Sequence, residues 1–314
     1  MKSFTFAVLA LILSVCASTR AGNAAQMALK LDGVDADSFF AAPNSPSLAK
    51  DIGSNLTVEA WVNPAVNLAD DTNHPTNEYI IVNKEDAYEI AVRNDDAATP
   101  GSFQVALRPA DASDGTAGSW GWNDSGVMIP VNKWTHVAAT WDGLVIRTFV
   151  NGKFAMKFDW AGPDGNKGTV ADGSSGTSEG LATLKVGRRG RGGDQHSIFK
   201  GLIDEVRISK VLRYTEAGFD VPAREFTPDA DTVALYHFNE ANTAAADVKA
   251  LKDKFAALGP THDTGAGNDD PALDIRAVVK DESSYHNDGA LTKNAALVPA
   301  DTPIVAETPP PAKP

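Results

Sequence analysis

Apolar and polar residues alternate along much of this chain, and helical spacing is rare. In residues 56–63, Val58, Ala60 and Val62 fall on one face and Glu59 and Trp61 on the other, the two-residue period of a strand. Pro64 has no N–H for a ladder bond and ends it. Residues 78–83, 88–93 and 102–108 read as further strands, the first two joined by the turn-like Lys84-Glu85-Asp86. The clearest pattern is a meander over residues 134–158, where Asp142-Gly143 and Asn151-Gly152 supply the positive φ angles of tight hairpin turns. Strands are also predicted at 182–186, 199–209 and 232–238, with Gly/Ser- or Asp-rich loops at 162–180 and 262–271. The one predicted helix covers 244–258, with Val248, Leu251, Phe255 and Leu258 at helical spacing. Many short strands with Gly/Asp turns indicate an all-β, two-sheet antiparallel sandwich carrying one short helical insertion.

Composition narrows the function classes. The chain has 314 residues, 28 Lys+Arg against 41 Asp+Glu, and a formal charge of −13. Such a balance argues against nucleic acid, which needs a basic face to release counterions, and suits hard cations such as calcium. Cys16 is the single cysteine, so no internal disulfide exists and thiolate zinc sites are excluded.

Lys2, the apolar run 4–15 and the small residues after it read as a secretory signal peptide over residues 1–21, cleaved after Ala17 or Ala21. The run is too short to span a bilayer. Leu13-Ser14-Val15-Cys16 resembles a lipoprotein box, but the bulky Val15 argues against lipid anchoring at Cys16. A secreted or envelope location follows. Residues 22–298 read as one domain with an insertion at 241–275, and 299–314 as a Pro-rich, disordered tail.

Several segments together resemble the laminin-G-like, concanavalin A-like jelly-roll domains of bacteria. They are Ala28-Leu-Lys-Leu-Asp-Gly-Val-Asp35, Leu56-Thr-Val-Glu-Ala-Trp-Val-Asn-Pro64 and Trp134-Thr-His-Val-Ala-Ala-Thr-Trp-Asp-Gly143. Val150-Asn-Gly-Lys153, Phe199-Lys-Gly-Leu-Ile-Asp-Glu-Val-Arg-Ile208, Leu235-Tyr-His-Phe-Asn-Glu240 and Asp281-Glu-Ser-Ser-Tyr-His-Asn-Asp-Gly289 complete the set. The His-Phe-Asn-Glu and Asn-Asp-Gly segments often open such domains but here close the chain. The resemblance implies a jelly roll and a structural calcium between the chain ends. On that analogy Asp204 is the first candidate ligand, with Asp35, Asp281 and Asn287 as companions. Asp204 is expected on a core-side face with Leu202, Val206 and Ile208.

Catalytic patterns are scarce. Glycosidases of this fold carry Glu-x-Asp-x-Glu on one strand face; Glu85-Asp86-Ala-Tyr-Glu89 and Asp204-Glu205 do not reproduce it and read as a turn and a solvated strand edge. Gly176-Thr-Ser178-Glu-Gly180 matches a nucleophile elbow in letters only, because no helix follows. For binding, Trp120 and Trp122 in the predicted loop 119–124, and Trp160 after the meander, are candidate sugar-stacking residues, and Arg188, Arg189 and Arg191 could grip an anionic sugar. Trp61, Trp134 and Trp141 are assigned to the core, and His136 and His237 to structural roles. The expected function is a non-catalytic recognition module for a glycan. The alternatives are an adhesive module for cell-surface proteins and, behind it, a glycoside hydrolase or polysaccharide lyase.

Overall fold

A computed structural model of the chain describes residues 26–68, 78–94, 99–114, 116, 118–171, 183–189, 197–258 and 273–304. Residues 1–21, read as a signal peptide, the Gly176–Gly180 string, Arg191, loop 262–271 and residues 305–314 lie outside the described residues.

Two antiparallel sheets face each other. Sheet A runs β11 (Lys153–Asp159), β10 (Val145–Val150), β9 (Thr135–Trp141), β3 (Leu56–Pro64), β14 (Lys200–Ser209), β1 (Met27–Asp32) and β18 (Ala296–Pro299), with β15 (Thr232–Tyr236) beside the second half of β14. Sheet B runs β16 (Ile275–Val279), β17 (Gly289–Thr292), β2 (Phe40–Ala42), β13 (Leu184–Val186), β4 (Glu78–Lys84), β5 (Tyr88–Arg93), β6 (Ser102–Leu107) and β8 (Gly121–Met128). A small pair, β7 (Pro109–Asp111) with β12 (Gly168–Val170), lies at one end. This is the expected sandwich, and the crossovers between distant strands give it a jelly-roll order.

Alternation explains the core. Val58, Ala60 and Val62 of β3 meet Tyr88, Ile90 and Val92 of β5 and Phe103, Val105 and Leu107 of β6 in one inter-sheet cluster. Full burial of each large side chain there contributes roughly 1.5–3 kcal/mol. The seam is tight: a void lined by Leu56, Val58, Ile90, Val105, Ala139 and Ile146 measures about 10 Å³, room for one water at most. A ligand site therefore has to be sought on the outer faces.

Both outer faces are covered in part. On sheet A, the stretch between β14 and β15 lays Tyr214, Phe219 and Phe226 over Glu59, His136 and Arg207. Residues 300–304, expected in a free tail, fold back instead: Ile304 packs with Ala28, Trp61 and Trp134, and Asp301 accepts the Trp134 indole N–H at 3.1 Å. Trp61 and Trp134 are thus buried as expected, but under this segment rather than between the sheets. On sheet B, α1 (Ala245–Ala257) sets Val248, Leu251 and Phe255 against Ile275, Val278 and Ala290.

Candidate functional site on the outer face of sheet B

Register places one row of side chains across all eight strands of sheet B. It reads Val278, Ala290, Ala41, Lys185, Asn83, Glu89, Ala106 and Trp122. The first three are apolar and lie on the α1 side; the chemistry begins at Lys185. A parallel row brings Glu78, Arg93 and Ser102 into line.

Glu89 occupies the middle of this polar half and is 0% exposed. The turn after β4, with Asp86 at φ 59°, carries Glu85 back beside it. The Asn83 amide donates from Nδ2 to Glu85 Oε2 at 3.0 Å and to Glu89 Oε2 at 3.1 Å. Arg189 enters from the end of β13, its Nη1 3.3 Å from Glu78 Oε1 and its Nε 3.4 Å from Glu85 Oε2 and 3.8 Å from Glu89 Oε2. Ser197 donates to Glu78 Oε1 at 2.8 Å, and Arg93 lies 3.0 Å from Glu78 Oε2. Burial pushes the Glu89 carboxyl well above the usual carboxylate range; Glu85 and Glu78 push the same way, and Arg189 opposes them. The sequence predicts a turn and a solvated edge for Glu85 to Glu89; the structure corrects that to a buried acid pair. The usable signal was polar residues at alternate positions in strands whose other face is apolar.

The β8 edge is more open. Trp122, expected in a loop, stands on β8 opposite Ala106 and partly exposed. The Arg93 guanidinium lies 4.0 Å from its ring centroid, and Trp120 meets it edge-on at 6.3 Å. Asp124, one pair further along, accepts from Ser102 Oγ at 2.5 Å. Trp160 belongs elsewhere: its ring packs on the inter-sheet cluster, fills the space above Gly121, and donates from Nε1 to Leu107 O at 3.1 Å. It anchors β8 to the sandwich.

The four expected metal ligands do not form one coordination set. Asp281 spends both carboxylate oxygens on the N–H groups of Leu235, Ser283 and Asn287 and on Ser283 Oγ. Asn287 lies beside it but donates to Ser47 and Val233 O. Asp35 is held by Lys293 and Asn294. Asp204 accepts from Thr302 Oγ1 at 2.6 Å and from the Glu205 N–H at 2.8 Å. A bulge explains the Asp204 discrepancy: Glu205 has φ 51° and register slips between Asp204 and Arg207, so Ile203, Val206 and Ile208 all face the core while Asp204 faces outward. No group of three His, Cys, Asp or Glu side chains able to hold a metal occurs among the described residues.

The profile of the concanavalin A-like lectin/glucanase superfamily (laminin G type) matches residues 34–216, more than half of the chain. The chain belongs to this superfamily. A candidate carbohydrate-binding protein from Bacteroides ovatus ATCC 8483 superposes with a TM-score of 0.52 at 18% identity, covering 90% of this chain and 62% of that one. The present chain thus spans about three fifths of that protein's length, and the likeness at this identity is one of fold. An SAP-like pentraxin from Limulus polyphemus (TM-score 0.41, 14% identity, 63% of this chain and 82% of that one) is more distant. So is domain 4 of the arabinanase AbnA from Geobacillus stearothermophilus, solved with arabinotriose (TM-score 0.39, 20% identity, 60% and 73%). Neither carries an argument about function. No curated protein matches the sequence.

Proposed function

We propose that this chain is a secreted or envelope-held, non-catalytic module that recognises a glycan on the outer face of sheet B. One observation carries the reading: the partly exposed Trp122, with Arg93 over its ring, Trp120 edge-on to it and Asp124 nearby, gives an aromatic surface beside a polar acceptor. Sugar rings offer C–H faces to stack on such a surface and hydroxyls to bond its rim. The superfamily membership and the fold shared with the Bacteroides protein agree with it. A non-catalytic role is supported by the state of the acids, since Glu78 and Glu85 are tied to Arg189 and Glu89 is sealed. Binding to a polysaccharide panel tests the reading: retention by at least one polymer, lost in Trp122→Ala, is expected. Failure to bind any polymer would overturn it.

A glycoside hydrolase is the second reading, favoured by Glu89, whose carboxyl burial holds above the usual range, sharing one amide with Glu85. It requires reducing sugar to be released and Glu89→Gln to stop the release. On the binding reading no sugar is released.

A further inference from the structure

The cations expected to meet a sugar on sheet B are taken up within the fold: Arg188 is buried beside Asp37, and Arg189 is held by three glutamates. An open concavity lies on sheet A instead. A depression of about 430 Å³ sits between Gly152, Lys153 and Phe154, where β10 turns into β11, and residues 217–220 of the stretch that covers this sheet. Its volume falls within the roughly 300–1,000 Å³ of small-molecule sites. Two glycines shape it. Gly152 (φ 72°) and Gly218 (φ 74°) bring the two turns so close that a Cβ on Gly218 would stand 2.7 Å from Gly152 O. The Phe219 N–H donates to that same carbonyl at 2.8 Å and locks one wall to the other.

The lining combines apolar rings with uncommitted charges. Phe154 and Phe219 are each partly exposed, and the wholly buried Phe149 braces both, its ring centroid 5.9 Å from the one and 5.7 Å from the other. Phe219 is also stacked on Tyr214 at 3.5 Å. Walls braced in this way are ordered before a ligand arrives, which spares it that entropy cost. Lys153 and Asp220 also line the depression and are exposed, and neither side chain makes a hydrogen bond or ion pair among the described residues. Nearby Arg147 and Lys157, by contrast, are taken up by Glu216. A cation and an anion together give the lining no net charge, so it favours neither an anionic nor a cationic ligand. It offers a donor, an acceptor and two apolar rings. A sugar unit is the complement, with hydroxyls around its edge and C–H groups on its faces.

We infer that this depression is a second sugar site, taking one neutral monosaccharide unit of a glycan through Asp220, Lys153 and the two phenylalanine rings. It lies on the opposite sheet from the Trp122 rim and holds whether or not that rim binds. The test is amide NMR of the full chain, titrated to millimolar concentrations with cellohexaose, xylohexaose, mannohexaose and maltohexaose, with oligogalacturonate and chitosan oligomers as charged arms. At least one neutral hexaose should shift the amides of Lys153, Phe154 and Gly218 along a saturable curve. Asp220→Ala and Lys153→Ala, both at exposed positions, should each weaken that binding by about tenfold, as for a lost hydrogen bond to a charged group. Trp122→Ala should leave these shifts as they are. Unaltered affinity in Asp220→Ala, or loss of the shifts in Trp122→Ala, would overturn the second site and leave recognition at the rim standing. Shifts caused by a charged oligomer alone would overturn the neutral sugar. Hexaoses that shift only Trp122 and its neighbours, or nothing at all, would also overturn the second site, and the polysaccharide panel then decides separately for the rim.

Discussion

Arg207 closes on Glu59 from the neighbouring strand, with Nε and Nη2 each 2.8 Å from Oε1, where Glu59 is wholly buried. Tyr214 donates to Oε2 at 2.7 Å and His136 Nε2 lies 3.2 Å from it. Burial alone would raise this carboxyl. His136, Arg207 and Tyr214 outweigh burial and bring it down to about 2. A carboxylate depressed in the folded state adds stability that is present above its unfolded value, 4.5, and lost as pH falls through about 2. Glu59→Gln should therefore destabilise by about 3–5 kcal/mol at neutral pH, because Arg207 stays buried and unpaired. Urea titrations at pH 7 and pH 2.5 measure it, and the difference from wild type should shrink at the lower pH.

Glu89 predicts the opposite slope. Its raised carboxyl favours the protonated native state, so its stabilising contribution is complete below the unfolded value and drains away as pH rises through the folded one. Glu89→Gln keeps the shape without the ionisation. Its melting temperature should match wild type at acid pH and exceed it by a margin that grows as pH rises above the usual carboxylate range. A margin that shrinks with pH would show that Glu89 is ionised in the fold.

These two acids mark what sequence could and could not disclose. The meander was legible because Asp142-Gly143 and Asn151-Gly152 demand positive φ, and the faces of β3 because its alternation is uninterrupted. The face of Asp204 was not, since one extra residue at Glu205 inverts the parity of everything before it on β14. β8 was hidden because Gly-Trp-Asn-Asp-Ser-Gly has no apolar alternation; it is an edge strand that the Trp160 ring fixes to the sandwich. The Glu85/Glu89 pair was masked by the same habit of treating charged residues near a turn as solvated. Only the cross-strand partners Asn83 and Arg189 reveal it. Lys293, which ties down Asp35, is distant in sequence and close only in the fold.

Gly152 predicts a backbone defect. Its φ is +72°, and a Cβ there would stand 2.0 Å from Phe219 O, while its own carbonyl accepts the Phe219 N–H at 2.8 Å. Gly152→Ala should cost about 1–3 kcal/mol and loosen the Tyr214–Phe226 cover. Thermal unfolding measures the cost, and faster amide exchange at Phe219 would report the loosening.

Chelation gives a further check. Asp281, Asp35 and Asp204 already receive protein donors, so EDTA and calcium should give the same melting temperature. A rise of several degrees with calcium would mean that other oxygens bind the ion.

Trp122→Ala should lower affinity for whichever polymer the protein retains by about tenfold or more, the usual size of a lost stacking residue at a contact centre. Its melting temperature should fall little, because the ring lies at the sheet edge and is partly exposed. Calorimetric titration of the purified variant gives both the affinity and, with a melt, the control.

The helix laid across β16 and β17 makes the two ends of that face unequal. One end is roofed by apolar side chains; the other is polar and opens to solvent only at its rim, around Trp122 and Asp124. A long polymer cannot thread straight across such a platform. On the glycan-binding reading, a polymer would meet the β8 rim first and find the far end of the face closed by the helix.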